Sequence, residues 1–171
     1  AMGTTQVAAL TTAQVVGLGS TQISSLTTTQ LVAMTTAQIA AMQTADVAAL
    51  GTTQVASLTT TQLVSATTAQ IAGLTTAQVA GLGTTQVSAL LTKQLAAMTT
   101  TQIVAMETED LAAITSANIT GLTTAQMAAM TTTQVVGLGT TQVSVLTTKQ
   151  LAAMTTTQIV AMETEDLAAI T

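Results

Sequence analysis

At 171 residues the chain has the length of one ordinary domain, yet it contains no Phe, Trp, Tyr, His, Cys or Pro and carries a net charge of −5. That inventory excludes disulfides and thiolate chemistry, and it withholds the imidazole on which general acid–base catalysis most often relies. It also lacks the basic face by which a protein meets nucleic acid or anionic lipid, and no apolar run reaches the roughly 18 residues of a membrane span, because Thr and Gln intervene every few residues.

Ala1-Met2 stands outside the pattern that follows and reads as a cloning remnant. From Gly3 the chain divides into 21 octads without an insertion, ending at Ile170 with Thr171 left over, so residues 3–171 read as one repeat domain cut from a longer array. Thr27–Met34 (TTTQLVAM) and Thr35–Met42 (TTAQIAAM) are typical octads. The second position is always Thr or Ser, and the fourth is Gln in 17 octads, with Asp46, Asp110, Asn118 and Asp166 as the exceptions. The fifth is always Val, Ile, Leu or Met. The eighth is Leu, Met or Ile except at Ala66.

The large apolar positions, five and eight, lie three apart, a spacing that shares one face of a helix and splits across a strand. Ala, Leu, Met and Gln also favour helix. The second-position Thr or Ser then reads as an N-cap, and Gly at position one suits a turn with positive φ. One long helix does not fit, since eight residues advance the apolar stripe by about 80° per octad and it would never face one partner. The expected fold is therefore all-α: a solenoid of very short capped helices, one per octad. Helices of this length need stacked neighbours to be stable. The alternative is a β-solenoid with 16 residues per coil and Thr ladders, which the three-residue apolar spacing disfavours.

A longer beat runs above the octad. Position five reads Leu31, Ile39, Val47, Val55, then Leu63, Ile71, Val79, Val87, and Gly19, Gly51 and Gly83 open successive blocks of four octads. This predicts about four helices per coil, with octad n lying on octad n+4. A three-octad stretch, Thr115–Leu138, interrupts the beat before Gly139 restarts it. Thr92–Thr115 and Thr148–Thr171 are identical over 24 residues, as expected of an array that grows by copying whole units.

The acidic clusters are the one chemical singularity. Glu107, Glu109 and Asp110, and again Glu163, Glu165 and Asp166, place three carboxylates within four residues. Hard cations take several oxygen ligands, which makes these six residues weak metal candidates. Each cluster also sits at an expected helix N-terminus, where the macrodipole favours negative charge, and the expectation is no metal site. No catalytic or cofactor-binding residue is assigned: only Lys93 and Lys149 could serve as a base for the many Thr hydroxyls, each lies in a cap-adjacent repeat position, and the Thr residues read as caps. The Gln column admits two uses, reaching back to free N–H groups in a cap, or pairing with Gln of adjacent coils if it projects inward.

Leu74–Leu82 spells LTTAQVAGL. This LTTxQ pattern resembles the Thr/Gln/Ala-rich octapeptide arrays of very large bacterial proteins, often exported or surface-associated and described as adhesin-like. The resemblance implies an extracellular or cell-surface, non-catalytic spacer or scaffold without a cofactor. A binding module that uses the regular Thr face for glycan, a solid surface or ice is the alternative. The expected partners are neighbouring repeats, with end-to-end self-association where the array lacks capping repeats, and neither nucleic acid nor membrane insertion.

Overall fold

The computed structural model describes residues 2–170. It consists of 21 helices of four to six residues, one per octad, numbered here α1 (Thr4–Ala8) to α21 (Thr164–Ala168), with no strand among the described residues. The all-α solenoid expected from the spacing of positions five and eight is the fold observed.

Most helices are started by a capping box or by its Gln half, though not α14 (Thr108–Ala112), α15 (Ser116–Ile119) and α21, and the cap lies one residue earlier than the sequence suggested. In octad 4 the N-cap is Thr27, in position one, with φ −73° and ψ 158°. Its hydroxyl accepts the Gln30 N–H at 3.2 Å, and Gln30 Oε1 accepts the Thr27 N–H at 2.7 Å. The second-position Thr or Ser is the first helical residue instead. It could cap only the N–H of position five, and that group already bonds the position-one carbonyl, as Leu31 N–H does to Thr27 at 3.0 Å. Where position one is Gly, as at Gly51, the Gln still returns to the cap N–H, from Gln54 at 2.6 Å. Among the described residues none has positive φ. The position-one glycines are extended N-caps, so the left-handed turn expected of them is not used.

The corners are made by extended backbone. In octad 4 the C-cap Met34 has φ −67° and ψ 144°, and Thr35, the cap of the next helix, has φ −73° and ψ 158°. Two residues near polyproline II geometry turn one helix into the next.

Positions five and eight point inward along the whole array and form one continuous core, from Val7 through Leu63 and Leu95 to Met162. Every helix packs against the third one along, from α1 on α4 (Thr28–Ala33) to α18 (Thr140–Val143) on α21. The Gln side chains, however, reach octad n−4, as the bonds from Gln102 to Ile71 and Leu74 illustrate. One coil therefore closes between three and four octads, slightly tighter than the four-octad beat implies. Side chains of octad n nest between octads n−3 and n−4 and do not stand squarely on identical residues.

Ala66, the one small residue in position eight, leaves a cavity of about 20 Å³ lined by Met42, Leu50, Leu58, Leu63, Ile71 and Leu74 among others. Ala66→Met restores the residue type found in this position elsewhere. It is expected to raise the unfolding free energy by about 1 kcal/mol, read as a shift in the denaturant midpoint with unchanged slope.

Candidate functional site

The most specific chemistry in the molecule is the inner row of position-four side chains. A Gln in this row uses its two ends differently. Oε1 closes its own capping box, while Nε2 crosses to the previous coil and donates to main-chain carbonyls at the end of helix n−4, the position-eight carbonyl and the position-five carbonyl that also accepts the position-eight N–H, as Leu31 O does from Met34 at 3.1 Å. Gln62 Nε2 donates to Leu31 O at 2.8 Å and Met34 O at 2.8 Å. Gln78 does the same to Val47 and Leu50, and Gln134 to Ile103 and Met106. These amides are almost wholly buried, Gln94 at 0 % exposure and Gln126 at 1 %. The four C-terminal carbonyls of a helix have no partner within it, and helices this short consist of little but ends. The Gln row answers that problem for every coil by bonding to the previous one. No Gln–Gln ladder is needed, and both uses anticipated for the column, capping and inward projection, are served by one residue.

The exceptions in the row show what the amide does. Asp46 is too short to reach across; it accepts instead from Ser20 Oγ of octad n−3 at 2.8 Å and from Gln43 N–H at 3.3 Å. Asn118 reaches only one carbonyl, Leu90 O at 2.9 Å, and accepts from Thr92 Oγ1 at 2.8 Å.

The six acidic candidates divide between inside and outside. Glu107 and Glu109 are exposed at the start of α14 (Thr108–Ala112), with Glu107 as its N-cap, whereas Asp110 is buried in the position-four row. Glu163, Glu165 and Asp166 repeat that arrangement at α21. Among the described residues no three carboxylates come together closely enough to share a metal ion.

Burial pushes the carboxyls of Asp110 and Asp166 above the ordinary aspartate value, and the neighbouring pairs Glu107/Glu109 and Glu163/Glu165 add to the rise. Asp110 occupies the position where a Gln would donate to the previous coil, and a carboxylate has no N–H to give there. A raised folded-state pKa means that the folded chain holds its proton longer than the unfolded one. The contribution to stability is complete below the ordinary aspartate value and is lost as pH rises through the raised one. Asp110→Gln supplies the missing donor. It is expected to stabilise the chain at pH 7 by about 1–2 kcal/mol and to flatten this part of the pH dependence, as denaturant titrations between pH 3 and 7 would read.

On the outside, position three is exposed in every octad and carries Thr in ten of them, with Ala, Lys or Glu in the others. No helix of the described residues is long and apolar enough to cross a membrane. The sequence pattern flagged the Gln column and left its partner open, because the acceptors are main-chain carbonyls common to every residue type.

A family model described as the ALTTAQ repeat matches in eight overlapping segments: residues 1–28, 17–44, 25–60, 39–76, 67–100, 103–140, 128–156 and 136–164. No curated protein and no solved structure matches the chain.

Proposed function

The chain belongs to the ALTTAQ repeat family, and from that premise we propose that it is a non-catalytic spacer or scaffold, an elongated element of a large bacterial exported or surface protein. The observation that carries this reading is the uniformity of the coil. The core is continuous from Val7 to Met162, and the same Gln-to-carbonyl bond recurs between successive coils from Gln38 to Gln158, interrupted only at Asp46, Asp110 and Asn118. An array with one recurring joint grows in length by adding units and keeps one cross-section. The scarcity of charge and the absence of aromatics leave few of the anchors on which tight recognition depends.

The test is a series of arrays with increasing octad number, labelled at both ends. The end-to-end distance from dipolar spectroscopy should rise in direct proportion to octad number. A distance that levels off would remove the spacer reading. Surface display is tested separately by antibody access to the array on intact bacteria.

The exposed Thr of position three supports a second reading, a regular face for glycan, a solid surface or ice. Thermal hysteresis and glycan-array signals that vanish when Thr53, Thr61 and Thr85 are changed to Lys would favour it over the spacer.

A further inference from the structure

The row that ties each coil to the one before it fails twice in succession, at Asp110 in octad 14 and Asn118 in octad 15. A carboxylate has no N–H to donate, so Asp110 gives nothing to the previous coil. Asn118 is one methylene short and reaches a single carbonyl, Leu90 O at 2.9 Å, with one further bond from Thr92 Oγ1. Gln126 and Gln134, in the next two octads, reach two and three carbonyls. The same two octads are also weakly started. α14 has no capping box, and its N-cap Glu107 makes no side-chain cap bond. α15 keeps only the Thr115 half of the box and is four residues long.

Asp46 shows what compensation looks like. There the position-one residue is Gln43, whose Nε2 takes over the crossing and donates to Val16 O at 3.1 Å. Ser20 Oγ of octad n−3 adds its bond to Asp46 at 2.8 Å. In octad 14 the place of Gln43 is taken by Glu107, which again has no N–H.

The two gaps add because of where they lie. A row joint runs from octad n to octad n−4, as from Gln102 to Leu74. A division just after Leu90 severs the joints of octads 12 to 15, and one just before Glu107 severs those of octads 14 to 17. Octads 14 and 15 belong to both sets, so about half of the row is weakened at any division in this stretch. One octad to either side only one joint is weakened, and beside Asp46 the lost joint is compensated. In a repeat array the stability is a sum of unit terms and interface terms, and partial openings occur where the interface term is smallest.

We propose that the stretch between Leu90 and Glu107 is a built-in seam that divides the array into two cooperative blocks. The apolar core runs across it through Leu95, Met98, Ile103 and Met106 and keeps it closed in the native state. On heating or under load the coil gives way here first, and one block keeps its structure while the other opens. The inference rests on the hydrogen bonds of the coil and is independent of the spacer role.

The experiment is native-state hydrogen exchange of the 171-residue chain, read by mass spectrometry of its peptides in rising, sub-denaturing urea, beside the double variant Asp110→Gln, Asn118→Gln. In the wild-type chain, octads before and after the seam should lose protection along two separate curves, with the change between Leu90 and Glu107. In the double variant the opening of the less stable block should become at least about tenfold rarer, the scale of two or more restored hydrogen bonds, and the curves should draw together. Glu107→Gln copies Gln43 from an exposed position and should act in the same direction by less; it gives the reading if circular dichroism shows the double variant to be misfolded. Asp46→Gln, the same exchange outside the seam, should leave the two curves apart. A single curve for the whole wild-type chain, a change of curve at another octad, or a folded double variant with the separation unchanged would each overturn the proposal.

Discussion

Gln102→Glu is expected to lower the unfolding free energy by about 3–5 kcal/mol at pH 7, the scale of an uncompensated buried charge. Gln102 is 2 % exposed. Its Nε2 donates to Ile71 O at 3.0 Å, Ala72 O at 3.2 Å and Leu74 O at 2.7 Å. The substitution changes almost no volume and keeps the capping bond to Thr99 N–H. What it removes is the donor, leaving a carboxylate against main-chain carbonyls in a place that water does not reach. The loss should shrink as pH falls, because a protonated Glu regains one donor. Gln14→Glu is the matched control. Gln14 makes the same cap, but it is exposed in the first coil, and its replacement should change stability by no more than about 0.5 kcal/mol. Denaturant unfolding of both variants at pH 4 and pH 7 checks the pair. Equal losses at the two sites would mean that capping, and not the bond between coils, is what the Gln column provides.

Gly121→Ala is the second large effect, expected at about 2–3 kcal/mol from overpacking. Position seven of each octad lies against position two of octad n−3. At Gly81 an added Cβ would meet Thr52 Cβ at 3.6 Å, an ordinary contact. At Gly121 it would lie 2.6 Å from Thr92 O and 3.0 Å from Thr92 Cα, main-chain atoms that cannot rotate aside. The closer approach accompanies Asn118, whose shorter side chain bonds only Leu90 O and Thr92 Oγ1, and a helix of only four residues, α15 (Ser116–Ile119). Gly81→Ala should therefore be close to neutral. Thermal melts of the two single variants read the contrast directly.

The octad as a unit was legible because its two determinants are local. The spacing of positions five and eight selects helix over strand, and the Thr or Gly before the helix together with Gln at its third residue starts it. The cap was assigned one residue late because positions one and two are so often both Thr. Only the bond from Leu31 N–H to Thr27 O shows which of the two lies outside the helix. The number of octads per coil was less legible. The beat of Gly19, Gly51 and Gly83 is four octads, and four octads is also the reach of the Gln bond. Helix packing nevertheless joins n to n+3, since the angle at each corner is set by main-chain torsions of positions eight and one that vary little with residue type. The acidic clusters looked like single groups in sequence. The helix separates them, turning position four inward and leaving positions one and three in solvent.

A chain without cysteine offers a direct measurement of the coil itself. Thr52 Cβ lies 3.6 Å from the place of a Cβ on Gly81, within the range that a disulfide spans. Under mild oxidation the double variant Thr52→Cys, Gly81→Cys should form an intramolecular disulfide rapidly and quantitatively, and Thr52→Cys, Ala89→Cys, which pairs the same positions across four octads, should not. Preferential closure of the second pair, or of neither while the chain remains folded, would contradict a coil in which each helix packs on the third one along.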